Sequence, residues 1–161
     1  MTSAQTLRKW TVTVGMTSLI GFSSTSFAFL DKTRVVGHLG AAFFAFHHWV
    51  LSPYQHGKFA AGAPGKTSAY VKGGLALLFA AHEVKVAENI AYKSKDPLLQ
   101  KLDAGLQNLT GSFGKVGQNL KSGQFNPAEL ESLNNDATQL GNAATSGGAP
   151  IKEIPTLIPG L

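Results

Sequence analysis

Residues 96–120 read DPLLQKLDAGLQNLTGSFGKVGQNL, and the reading of this stretch decides the fold. Leu99, Leu102, Leu106, Leu109, Phe113, Val116 and Leu120 recur at alternating steps of three and four residues through three heptads. That spacing lays them along one face of an α-helix and is not the alternation of a strand. Asp96 is a good N-cap, because its carboxylate accepts from the free N–H groups of a first turn. Pro97 suits the first helical position, where the missing N–H costs nothing. Ser122-Gly123 ends the segment.

Downstream, Asn126-Pro127 repeats the same kind of start, and Glu129 follows at the third helical position, where a carboxylate favours the helix dipole. Leu130, Leu133, Ala137 and Leu140 continue the three-and-four spacing before the pattern fades toward Gly147-Gly148. The short link between these segments makes them an antiparallel hairpin. Upstream, an apolar segment runs from Lys32 or Thr33 to Leu51, with Val36, Leu39, Phe43, Phe46 and Val50 on one face. It is predicted to stop at Ser52-Pro53, since a residue before proline is pushed out of helical geometry. A Gly/Pro/Ala-rich loop, Gln55 to Gly65, leads to another helix that is capped by Thr67 or Ser68 and runs to about Tyr92. Its expected buried stripe is Val71, Leu75, Leu78, His82 and Val86, and its Gly73-Gly74 pair either weakens the first turns, by roughly 1 kcal/mol each relative to Ala, or permits close approach of another helix. Pro150, Pro155 and Pro159 keep the last residues from being helical throughout. The sequence therefore predicts an all-α fold, a four-helix bundle of two helical hairpins over residues 29–148. An extended, Pro-containing tail follows over 149–161. The expected core is Leu39, Phe43, Phe46, Val50, Leu75, Leu78, Leu99, Leu102, Leu106, Leu109, Phe113, Leu130, Leu133 and Leu140.

The first 28 residues read as a cleaved signal peptide. Arg8 and Lys9 form a positive start, Thr11 to Phe22 is an apolar stretch, and Ser26-Phe27-Ala28 offers small residues at a cleavage site. The alternative is an uncleaved anchor, although the stretch is short and polar for a roughly 20-residue span. Removal leaves 12 basic against nine acidic residues, +3 where the full chain carries +5. The absence of cysteine excludes disulfides, Cys–zinc sites, iron–sulfur clusters, attached c-type haem and thiol nucleophiles. The expected location is the cell envelope or the outside of the cell.

Chemistry-bearing patterns are sparse. Ala60 to Thr67 brushes against a phosphate-binding loop, but Ala60 stands where the first glycine belongs and no strand precedes it. A di-iron bundle needs Glu-x-x-His on two helices, which this chain lacks. No Gly-x-Ser-x-Gly turn marks a serine nucleophile. Asn108-Leu109-Thr110 is a glycosylation sequon of little weight within a heptad helix. The lysines are dispersed and the mature chain has one arginine, Arg34, so nucleic-acid binding is not expected.

Five histidines remain: His38, His47, His48, His56 and His82. His82 falls at the centre of its expected stripe, and an antiparallel hairpin places it level with His38. That pair is the one arrangement able to hold haem or a metal ion between facing helices. The leading expectation is nevertheless a non-enzymatic exported protein with no cofactor, acting through protein or surface contacts. The seam Leu99, Leu102, Leu106, Leu109, Phe113, Val116 and Leu120 would serve a protein partner or self-association, unless it is covered within the chain. Weak contact with anionic envelope polymers or a membrane surface fits the basic balance. A haem- or metal-binding bundle using His82 and His38, and a membrane-embedded subunit of an envelope complex, are the alternatives.

Overall fold

The computed structural model describes residues 23–161, with side chains described from Phe27 onward. The predicted basic start, Arg8 and Lys9, and the apolar stretch Thr11 to Phe22 lie outside the described residues. The described chain is all-α, with no strand among the described residues. Helix α1 spans Ser23–Phe46, passes without a break into a π-helical segment, His47–Leu51, and continues as the short helix α2, Ser52–Gln55. Then come α3, Lys66–Lys93; α4, Pro97–Lys121; and α5, Pro127–Ser146. Residues 149–161 form no regular element.

The 99–120 heptads are helical as expected, and all seven of their large side chains are buried. Asp96 Oδ1 accepts from the backbone N–H groups of Leu98 (2.9 Å) and Leu99 (3.2 Å). Asn126 caps α5 in the same way through the Ala128 N–H, at 3.0 Å. Glu129 ties the two helices together, accepting from Lys115 Nζ (2.8 Å) and Asn119 Nδ2 (3.1 Å).

Helix α4 packs most extensively against α3. The buried face of α3 is not the expected Val71–Leu75–Leu78–His82–Val86 stripe. It is Tyr70, Gly73, Leu77, Ala80, Val84, Ala87 and Ala91, a heptad of mostly small residues. Leu75 and Leu78 are only partly buried, and His82 is exposed. Backbone proximity is the physical reason. A Cβ on Gly74 would lie 2.7 Å from Lys121 N and 2.9 Å from the Gly117 carbonyl oxygen. A Cβ on Gly117 would lie 3.0 Å from the Leu77 Cβ. Large α4 side chains fill the core only if the helix facing them supplies holes.

The first apolar segment differs from expectation at both ends, since α1 is already helical at Ser23, ahead of the expected start at Lys32 or Thr33. The helix runs through Ser52-Pro53 because the chain widens into a π-turn ahead of the proline. Ser52 N–H bonds to the His47 carbonyl, five residues back. In an α-helix the Pro53 ring would press on the Trp49 carbonyl. The wider turn relieves that clash, and the carbonyl lies beside Gly73, which brings no side chain of its own against it. Helix α3 also begins differently from expectation. Gly65, at φ 72°, takes the N-cap position, and neither Thr67 nor Ser68 caps it. The loop before it is more than a connector, since Phe59 is buried and packs with Tyr54, Tyr70 and Phe125 at ring separations of 5.1–6.4 Å.

At the other end of the helices, Lys32 Nζ lies 2.9 Å from Asp96 Oδ2. Burial opposes the charge of Asp96, but the Lys32 ammonium and the Leu99 and Leu98 N–H groups outweigh it and hold the carboxyl below its ordinary value. A depressed native pKa contributes stability that is present above the unfolded-state value and is lost as pH falls through the native value. Asp96→Ala is therefore expected to cost about 1–2 kcal/mol at neutral pH, with the lost cap as the main component. Denaturant titrations across pH should show this difference shrinking in acid. A constant difference down to pH values below the carboxylate range would contradict the assignment.

Candidate functional site

Side chains with chemical potential gather along α1. His38 lies on the side of α1 that faces α3, and its Nδ1 is 2.7 Å from Glu83 Oε2. The expected level of His38 in the hairpin is thus right to within one residue, but its partner is Glu83 rather than His82. One residue is about 100° on a helix, and that turn carries His82 to the exposed outer side of α3. The His38–His82 pair proposed for haem or a metal is not formed. Among the described residues there is no group of three or more His, Cys, Asp or Glu side chains that could hold a metal ion.

On the other side of α1, His47 Nδ1 hydrogen-bonds Glu153 Oε1 of the C-terminal segment. One helical turn pair earlier, the Gly40 carbonyl accepts from Ile154 N–H at 3.1 Å. A Cβ on Gly40 would meet the Lys152 carbonyl oxygen and the Ile154 side chain, so only glycine leaves room for the tail. The chain then runs on until Gly160 reaches Leu75 of α3, and Ile158 is buried on the way. Gly40 and His47 lie roughly opposite His38 and Ala45 around the α1 axis. A tail that touches Gly40 and ends on α3 must cross α1. Residues 149–161 are a strap over that helix.

The remaining histidines stay near the surface. His48 is exposed and stacks on Phe44 at 5.2 Å, with Trp49 edge-on at 5.1 Å. His56 closes the end of α2, its Nδ1 lying 2.7 Å from the Ser52 carbonyl. The resulting π-helical segment is rich in imidazole and indole, and Lys72 Nζ sits 5.7 Å above the Trp49 ring.

Leu99, Leu102, Leu106, Leu109, Phe113, Val116 and Leu120 face the chain's own interior. As buried residues they offer no surface to a second protein. The loop resembling a phosphate-binding motif enters α3 directly from turns, with Gly62 and Gly65 at positive φ. Beside it lies an open cleft of about 420 Å³ with Lys66, Thr67, Lys121 and Ser122 on its walls. The sequence reading missed that cleft, and it missed Glu83, Glu153 and Gly40. None of these carries a local signal, because each acquires its role only from a residue on a distant segment.

Comparison of the chain with protein families, curated proteins and solved structures gives no match.

Gly40→Ala is expected to push the strap off α1, while helix content stays near the wild-type value. Hydrogen exchange or limited proteolysis would then show residues 150–161 opening faster. Glu153→Gln should have a smaller effect in the same direction. Unchanged protection of the tail in Gly40→Ala would contradict the strap.

Proposed function

We propose that the chain is a non-enzymatic exported protein of the cell envelope or the cell exterior, acting through protein or surface contacts. Its working unit is a four-helix bundle of two hairpins, held by the extended C-terminal strap. One observation carries the export reading. The first described residues tied to the other helices are Lys32, through Asp96, and Val35, which is fully buried. Both lie just beyond Ser26-Phe27-Ala28, so cleavage after Ala28 removes no described side chain that the helical core uses. Phe27 itself is exposed.

The non-enzymatic reading is supported by how the polar side chains are spent. His38 is tied to Glu83, His47 to Glu153, Lys115 to Glu129 and Lys85 to Glu88. Each pair joins or decorates helices, and none sits in a deep cleft beside a nucleophile.

A second reading has its own support. The helix Phe27–Gln55 is long and apolar enough to cross a membrane. Half of its most apolar window is buried against the rest of the chain, as in the core helix of a soluble protein. Its pairs with Asp96, Glu83 and Glu153 would be costly to place in a bilayer.

Mass determination of the protein isolated from its producing cells, together with an alkaline carbonate wash of their membranes, separates the readings. The expected result is a chain beginning at or near Phe29 that the wash releases. An intact chain that stays in the pellet would favour the membrane-spanning alternative.

A further inference from the structure

The exposed large apolar side chains are not spread evenly. Phe27, Phe29, Leu30 and Tyr92 gather at one end of the helices, where α1 begins and α3 finishes. Phe29 is 68% exposed, Leu30 53% and Tyr92 77%. The His38–Glu83 contact sets the α1–α3 register, and stepping back along both helices puts Phe29 level with Tyr92. Around this apolar tip stand cations. Arg34 and Lys93 line one cleft, together with the single carboxylate of Asp31. Lys95 is exposed in the link between α3 and α4, while Lys32 is neutralised by Asp96. The opposite end has lysines too, Lys58, Lys66 and Lys121, but among the described residues α3 exposes only Val71 there, and the remaining exposed large apolar side chains, Ile154 and Leu157, lie along the strap.

An apolar tip with a basic rim matches one kind of surface. Aliphatic and aromatic side chains enter the boundary between lipid headgroups and acyl chains, and lysine or arginine beside them pairs with anionic headgroups. A second copy of the chain would set two basic rims against each other, which like charges oppose. We propose that the protein docks on an anionic lipid bilayer by this end, through Phe29, Leu30 and Tyr92 with Arg34, Lys93 and Lys95 around them. The proposal names the partner of the surface-contact reading above and rests on it.

The test is co-sedimentation of the protein, as isolated from its producing cells, with vesicles of phosphatidylcholine alone or mixed with phosphatidylglycerol. Binding is expected only to the mixed vesicles and should weaken as salt is added. A basic residue near such a surface is worth roughly fivefold in binding. Lys93→Glu with Lys95→Glu should therefore reduce binding by about 20-fold or more. Phe29→Ser with Leu30→Ser should reduce it as well. Lys58→Glu with Lys121→Glu changes net charge equally at the far end and should leave binding near the wild-type value. Far-UV circular dichroism checks each variant, and Lys93→Gln with Lys95→Gln replaces the reversal if that variant fails to fold.

Equal losses from both charge reversals would show a net-charge effect and overturn the proposal. So would absence of binding to the mixed vesicles, or equal binding to neutral ones. Capture by a soluble polyanion without capture by vesicles would also overturn it. An unprocessed N-terminus with end-specific binding to the anionic vesicles would sink the export reading and leave the docking surface standing.

Discussion

The fold depends on the close approach of two helix backbones, α3 and α4, at Gly74 and Gly117. No Cβ fits at Gly74, because the backbone of α4 already occupies the space. From the contact between Gly73 and Leu120, stepping along both heptads sets Leu77 level with Val116, Ala80 with Phe113 and Val84 with Leu109. Ala87 then meets Leu106, and Ala91 meets Leu102. Most levels pair a small side chain on α3 with a large one on α4. The large side chains supply the apolar area, and the small ones let the two helices approach closely enough for that area to leave water.

The rest of the molecule is arranged around that pair. Phe46 meets Phe113 at a ring separation of 5.5 Å, so α1 closes over the α3–α4 contact. Because α1 is apolar on nearly every side, one neighbouring helix cannot cover it. The strap covers a further side, and Gly40 is where the strap can lie flat. The His38–Glu83 and His47–Glu153 contacts fasten α1 on two sides. Lys32–Asp96 fastens its beginning and links the cap of α4 to the same helix.

How much of this was legible in the sequence follows from how each feature is written there. The α4 heptads stand out because large apolar residues alternate with polar ones, so both the helix and its buried face can be read. Asp96-Pro97 and Asn126-Pro127 mark starts by a chemistry that depends on no distant partner. The buried face of α3 was misread because Leu and Val outrank Gly and Ala in apolar character. In a tightly packed interface, size decides instead, and the error carried His82 from the outside to the inside. Pro53 was read as a stop because the residue before a proline disfavours helical geometry, but Ser52 stays helical at φ −63° and ψ −49°, and the π-turn removes the separate clash of the proline ring with the carbonyl four residues back. That the tail forms no helix was legible from its prolines. Its seat on α1 was not, since nothing around Gly40 in the sequence says that a backbone carbonyl lies against it.

Thermal or denaturant unfolding of Ala80→Leu, Phe113→Ala and the double variant tests the matching of small to large most directly. Overfilling at Ala80 should cost about 1–3 kcal/mol, and emptying at Phe113 about 3–5 kcal/mol. If the two positions share one hole, the double variant restores part of the lost volume. Its loss of stability should then fall short of the sum of the single losses by about 1 kcal/mol or more. Additive losses would mean that Ala80 and Phe113 do not face each other, and the account of the α3–α4 interface would be wrong.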